Sequence, residues 1–143
     1  MKIISLNDKQ TLAFGKKFAQ TLRGGEVLAL AGELGSGKTV FAKGLALGLA
    51  VEKMVTSPTF VLMKVYSGQL KNRAVKLAHL DAYRLNEGGQ LLEIGLCDFL
   101  GKPDCITVIE WAERVKDILP AKVIWLRFKL GSTEKQRQII VEK

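Results

Sequence analysis

The chain has 143 residues, of which 48% are hydrophobic and 25% charged, a composition that excludes a disordered chain, collagen and a coiled-coil array. The length supports one hydrophobic core, so we predict a single domain over residues 1–143. Lys and Arg (22) outnumber Asp and Glu (14), and the net charge of +8 favours polyanionic partners such as nucleotides, RNA or an acidic protein. No apolar run has signal-peptide character or membrane-spanning length, so we expect a cytoplasmic protein with no membrane partner.

The first third of the chain predicts a helix, a buried strand and a second helix. Asn7 followed by Gln10 has the spacing of a helix cap, and apolar residues then recur at helical spacing until Gly24-Gly25. The wholly apolar run Val27–Ala31 is typical of a strand buried on both faces of a parallel sheet. A glycine-rich loop follows, and residues 38–49 again have apolar residues at helical spacing.

The rest of the chain predicts five strands and little regular helix. The turn-rich segment 67–73 separates two extended segments, which we predict to form an antiparallel hairpin. A glycine-broken region with short helical pieces follows, and a later short helix ends at Pro120. The predicted strands comprise residues 60–66, 74–80, 105–109, 123–130 and 137–141. This order predicts an α/β fold whose mixed sheet is parallel at its centre and extended by antiparallel hairpins.

Residues 32–39, Gly-Glu-Leu-Gly-Ser-Gly-Lys-Thr, match the phosphate-binding loop G-x-x-x-x-G-K-[ST] in full. The glycines permit a tight loop whose N–H groups turn toward phosphate oxygens, and the start of the next helix faces the same anion. Lys38 places a positive charge between the β- and γ-phosphates, and the Thr39 hydroxyl ligates Mg²⁺. The loop therefore predicts a nucleoside triphosphate with Mg²⁺ as the ligand, in a P-loop NTPase-like three-layer sandwich.

A phosphate-binding loop needs a carboxylate at the end of a neighbouring buried strand to hold Mg²⁺ directly or through water. Glu110 ends an apolar predicted strand, at the sheet edge where ligands of open α/β sheets collect. Asp81 ends another strand in the same way, and is a candidate to hold the attacking water, a metal-bound water or a switch loop. Thr59, in the segment 57–60, has the position of a switch threonine that reaches Mg²⁺ and the γ-phosphate. We interpret His79, the only histidine, as a packed strand residue.

Three other classes of protein were considered for these motifs. A GTPase is disfavoured, because no Asn/Thr-Lys-x-Asp element follows a strand to read guanine. A small-molecule kinase is a minor alternative, since the six arginines are scattered and no insert has the length of a lid. A basic RNA-binding module with nucleotide as a structural ligand is another alternative. In that case tRNA would contact the hairpin cations Lys64, Lys71, Arg73 and Lys76, although no aromatic stacking pattern supports base readout.

The motifs together resemble one family. The phosphate-binding loop, Ser57-Pro-Thr-Phe60, His79-Leu-Asp-Ala-Tyr-Arg-Leu85 and Ile109-Glu-Trp111 stand in the order of the TsaE (YjeE-type) P-loop ATPases of bacterial tRNA modification, over roughly residues 8–120. The family's loop usually reads Gly-Asp-Leu-Gly-Ala-Gly-Lys-Thr, and Pro often follows its Glu-Trp. The departures in this chain are Glu33, Ser36 and Ala112, and none of them removes a phosphate or metal ligand.

The resemblance implies an ATPase required for threonylcarbamoyladenosine (t6A) formation at the tRNA adenosine beside the anticodon. It implies a TsaD–TsaB complex as the partner. That complex would transfer the threonylcarbamoyl group and would also provide the contact with tRNA. Lys38, Asp81 and Glu110 would be catalytic, and Thr39 and Glu110 would hold Mg²⁺. The residues implied to bind ATP or ADP are Thr11, Gly35, Ser36, Gly37, Lys38, Thr39, Val40 and Thr59. Because no arginine finger is evident, we expect slow hydrolysis by the chain alone and stimulation by its partners.

Overall fold

The computed structural model describes all 143 residues, which form seven strands, three α-helices and two 3₁₀ segments. None of the helices has the length and apolarity that crossing a membrane requires. The strands are β1 (Lys2–Ser5), β2 (Val27–Ala31), β3 (Met63–Leu70), β4 (Arg73–Asp81), β5 (Cys105–Glu110), β6 (Ile124–Leu130) and β7 (Arg137–Glu142). The helices are α1 (Asp8–Ala19), α2 (Lys38–Gly48) and α3 (Gly89–Glu93), with 3₁₀ segments at Leu96–Asp98 and Ala112–Ile118.

All seven strands belong to one sheet in the order β1-β7-β6-β2-β5-β4-β3. The central strand β2 pairs in parallel with β5 and β6, and β4 pairs in parallel with β5. The outer pairs β1–β7, β6–β7 and β3–β4 are antiparallel. The predicted mixed sheet, parallel at its centre with antiparallel extensions, is confirmed.

Two hydrophobic cores lie on opposite faces of this sheet, because successive side chains of a strand point to opposite sides. In β2, Leu28 and Leu30 face the core beneath α1 and α2, whereas Val27 and Ala29 face the core beneath α3 and the 3₁₀ segments. Both faces are therefore covered, which is why the run Val27–Ala31 is apolar at every position. The arrangement is the predicted three-layer sandwich.

The helices α1 and α2 approach each other closely through glycines. A Cβ built on Gly44 would lie 2.1 Å from the carbonyl oxygen of Leu12, and one on Gly15 would lie 2.4 Å from that of Phe41. Only residues without a side chain fit at these contacts. Since α2 begins directly after the phosphate-binding loop, this packing fixes α1 beside the loop as well.

Three features of the fold differ from the sequence prediction. The strand β1 was not predicted; it has four residues and exists by pairing with β7, more than 130 residues away. The hairpin was predicted with a turn over residues 67–73, but the strands continue to a two-residue turn at Lys71-Asn72, where both residues have positive φ as in a type I′ turn. The helix α1 ends at Ala19, ahead of Gly24-Gly25, where the Thr21 hydroxyl donates to the carbonyl of Phe18.

Candidate nucleotide-binding site

The predicted site residues meet at the carboxyl edge of the parallel strands. The phosphate-binding loop leaves β2 at this edge and leads into α2. Glu110 pairs in register with Leu30 of β2 on one side and with Asp81 of β4 on the other. The two carboxylates therefore lie next to each other on one side of the loop, because three parallel strands end at the same level.

The loop presents a row of backbone N–H groups that have no acceptor within the protein. They belong to Gly35, Gly37, Lys38, Thr39 and Val40. Gly35 and Gly37 have φ angles of 78° and 104°, in the region that favours glycine, and these turns direct the loop amides to one side. N–H groups at a helix start carry partial positive charge, so the concavity fits a phosphate group.

The Lys38 side chain is buried against the loop. Its Nζ donates to the carbonyl oxygens of Gly32 at 2.5 Å and Glu33 at 2.9 Å, and lies 4.2 Å from the centre of the Trp111 ring. Burial lowers the pKa of Lys38, and the negative charges of Glu110 and other nearby carboxylates oppose that shift. A buried cation whose hydrogen-bond partners are neutral is well matched to an arriving polyphosphate.

Glu110 links the loop to the strand beyond it. Its Oε1 accepts from the Thr39 hydroxyl at 2.7 Å, and its Oε2 lies 2.5 Å from Nε2 of His79. His79 is fully buried, which agrees with its interpretation as a packed strand residue, but it also holds one oxygen of Glu110. The hydroxyl and the carboxylate are oxygen ligands of the kind that Mg²⁺ prefers, together with phosphate oxygens, so this donor set fits Mg²⁺.

Asp81 holds the segment 57–60 against the site. Its Oδ2 accepts from the hydroxyls of Thr59 at 2.9 Å and Ser57 at 3.2 Å, and its Oδ1 accepts from the backbone N–H of Tyr83. Asp81 thus contacts the segment that the sequence analysis interprets as a switch loop, and the three roles considered for Asp81 stay predictions. The hydroxyl of Thr59 thereby lies at the cleft beside Thr39 and Glu110.

These groups line a cleft of about 370 Å³. Its lining comprises Asp8, Leu34, Gly35, Gly37, Lys38, Thr39, Val40, Ser57, Thr59, Asp81, Tyr83, Glu110, Trp111 and Arg137. Two of the predicted nucleotide-binding residues are not among them. Ser36 is fully buried, with its hydroxyl 3.4 Å from Nζ of Lys38. Thr11 is also buried and bonds to Ser5, and its methyl group lies 3.6 Å from where a Cβ of Gly37 would be.

Two residues at the loop were missed by the sequence analysis. Arg137, at the start of β7, lines the cleft and donates from Nε to the carbonyl of Gly35 at 3.1 Å. It is 102 residues from its partner, so no local pattern could have revealed it. Glu113 accepts from the N–H of Gly32 at 3.2 Å. Its position three residues after Glu110, where the chain leaves β5 and enters the 3₁₀ segment, was a usable signal.

Comparisons with known proteins agree with this geometry. The family described as "Threonylcarbamoyl adenosine biosynthesis protein TsaE" matches residues 5–139. This chain belongs to the TsaE family. The TsaE protein of Treponema pallidum is 38% identical over 91% of this chain and 92% of its own length, and that of Bacillus subtilis is 32% identical over 95% and 82%. The crystal structure of YdiB from B. subtilis is similar with a TM-score of 0.78 and 29% identity, covering 97% of this chain and 82% of YdiB. The resemblance to TsaE and the predicted fold class are thus confirmed.

Proposed function

We propose that the chain binds ATP with Mg²⁺ in the cleft and hydrolyses it. The observation that carries the proposal is the row of five N–H groups without acceptors, beside the buried cation Lys38. In this proposal the loop amides and Lys38 bind the phosphates, and Thr39 and Glu110 hold the metal. Mg²⁺, when bound, neutralises negative charge on the phosphate oxygens as the terminal bond breaks.

Asp81 acts in this proposal by holding the switch segment. Through its hydrogen bonds to Ser57 and Thr59 it keeps the Thr59 hydroxyl at the cleft that would hold the nucleotide. Closing such a segment over a triphosphate and releasing it after hydrolysis makes ATP a conformational signal.

Hydrolysis by the chain alone should be slow. The one arginine that lines the cleft, Arg137, donates to the carbonyl oxygens of Gly35, Glu134 and Gln136 and so is committed to the backbone. An arginine aimed at the transferring phosphoryl group accelerates phosphoryl transfer by about 10³–10⁵-fold. We therefore propose that partner proteins stimulate turnover.

The cellular role we propose is formation of t6A in tRNA, in the cytoplasm. Membership of the TsaE family supports this role, and the relatives from T. pallidum and B. subtilis are named as tRNA threonylcarbamoyladenosine biosynthesis proteins. The partner would be a TsaD–TsaB complex, which brings the tRNA. The RNA-binding alternative has less support, because Lys64 donates to Thr56 and Arg73 to the carbonyl of Arg23, contacts that restrict the reach of two of the four hairpin cations.

The deciding experiment measures phosphate release from ATP with and without TsaD–TsaB and tRNA, for the wild type, Lys38→Ala and Glu110→Gln. We expect the complex to increase turnover and Lys38→Ala to abolish it. In Glu110→Gln, turnover should fall by a larger factor than nucleotide affinity. Unchanged hydrolysis by Lys38→Ala would refute the assignment of the site. Salt-sensitive tRNA binding without stimulated hydrolysis would favour the RNA-binding module, and a phosphorylated small molecule would favour the kinase.

A further inference from the structure

A second concave surface lies beside α1. It is a groove of about 1310 Å³ between α1 and the sheet edge formed by β1 and β7. Its apolar lining includes Ile3, Phe14, Phe18 and Val141. None of its lining residues belongs to the nucleotide cleft, so the two surfaces are separate.

The groove opens at an unpaired edge of the sheet. The strand β1 is the last in the order and pairs only with β7, so its outer edge carries backbone groups without strand partners. Met1 and Ile4 line the groove and are 69% and 44% exposed. Exposed apolar residues around a concave surface are typical of a site of protein interaction.

The charged side chains of the groove have one sign. They are Lys16, Lys17 and Lys143, and no Asp or Glu is part of the lining. The groove is thus an apolar surface bordered by cations, and its volume exceeds the roughly 300–1,000 Å³ of ordinary small-molecule sites. An occupant that matches it combines apolar side chains with carboxylates.

We propose that this groove docks an acidic amphipathic segment of a partner protein. A second copy of this chain fits poorly, since a two-fold contact brings together two linings that both carry lysines and no acids, in a chain of net charge +8. A membrane surface fits poorly because a flat bilayer does not fill a concave groove. The proposal does not depend on ATP binding, because the groove shares no residue with the cleft.

The test uses two synthetic peptides of equal length, with leucine on one face and either glutamate or lysine on the other. Binding to the ¹⁵N-labelled full chain is followed by shifts of backbone amide signals. We expect the glutamate peptide to bind, with shifts confined to α1, β1 and the end of β7. In the variant Lys16→Glu/Lys17→Glu its affinity should fall about tenfold. The matched control Lys122→Glu/Lys129→Glu, at exposed lysines outside the groove, should bind like the wild type.

Four outcomes would overturn the proposal. They are no saturable binding of the glutamate peptide, equal binding of the lysine peptide, shifts away from the groove, and an equal loss of affinity in the control variant. Ala13→Gln provides a second variant in case the charge reversals disturb folding. It fills the groove from an exposed helix position and should also weaken binding of the glutamate peptide. Concentration-dependent dimerisation that the Lys16 and Lys17 changes alter would assign the groove to a second copy. Binding of phosphatidylglycerol vesicles through the same residues would assign it to a lipid surface.

Discussion

The hydrogen bond between His79 and Glu110 should make these two residues strongly coupled in stability. Their side chains are 0% and 3% exposed, and 2.5 Å separates Nε2 from Oε2. A hydrogen bond to a charged group contributes about 1.5–3 kcal/mol, and loss of one partner leaves the other buried and unsatisfied. His79→Leu preserves the bulk of the side chain and also removes Nδ1, a buried nitrogen without a hydrogen-bond partner. Removing that unsatisfied nitrogen offsets the loss of stability by about 1 kcal/mol. The net expectation is a loss of about 0.5–2 kcal/mol in the free energy of unfolding.

The assay is a double-mutant cycle by urea unfolding, with His79→Leu, Glu110→Leu and the double variant. The loss of the Thr39 contact in Glu110→Leu cancels in the cycle, so the coupling energy of about 1.5–3 kcal/mol reports the pair alone. Thr107→Val, which removes a buried hydroxyl without a partner from the same strand, is the control and should not destabilise the chain. If the stability losses of the two single variants sum to that of the double variant within about 0.5 kcal/mol, the coupling is refuted.

The same contact predicts the tautomer of the histidine. A carboxylate only accepts hydrogen bonds, so Nε2 of His79 must carry the proton that Glu110 accepts. Because the chain has one histidine, ¹⁵N-labelled imidazole gives a single set of ring signals without assignment by mutation. A ring whose Nε2 is unprotonated in the ligand-free protein would contradict the contact.

Burial lowers the pKa of Lys38, and bound phosphate should raise it again. Between the lowered pKa and the ordinary lysine value of about 10.4, ATP binding should therefore take up a proton. Calorimetry in buffers of different ionisation enthalpy should show this uptake at alkaline pH, and buffer-independent heats throughout would contradict it. Gly44→Ala, whose Cβ would lie 2.1 Å from the carbonyl oxygen of Leu12, should lower the free energy of unfolding by about 2 kcal/mol or more. An unchanged urea midpoint would contradict the close helix packing. Because the Lys38 ammonium lies over Trp111, nucleotide binding should alter the fluorescence of that residue in a Trp125→Phe variant, and constant emission at saturating nucleotide would argue against movement of the ammonium.

Local patterns predicted the centre of this fold well. The run Val27–Ala31 is apolar at every position because both faces of β2 are covered, and that property is visible in the sequence alone. The glycine spacing of the loop and the acids that end β4 and β5 are also local signals, so Asp81 and Glu110 could be placed at one edge before their pairing was known.

Features that arise from distant contacts could not be predicted in this way. The strand β1 is short and depends on β7 for its backbone partners, so it leaves no pattern of its own. Arg137 reaches the loop only because β7 lies two strands from β2. His79 was placed in a buried strand, but its partner Glu110 comes from the neighbouring strand and follows from the register of β4 with β5.

The central claim is that the row of N–H groups and Lys38 bind a nucleoside triphosphate. Isothermal titration calorimetry of the full chain with ATP tests this claim most directly. In buffer containing Mg²⁺ we predict saturable binding to one site, weakened when EDTA removes the metal and lost in Lys38→Ala, whose thermal unfolding should show that it is folded. The absence of heat and of any thermal stabilisation with the wild type would contradict the account, as would undiminished binding by the folded Lys38→Ala variant.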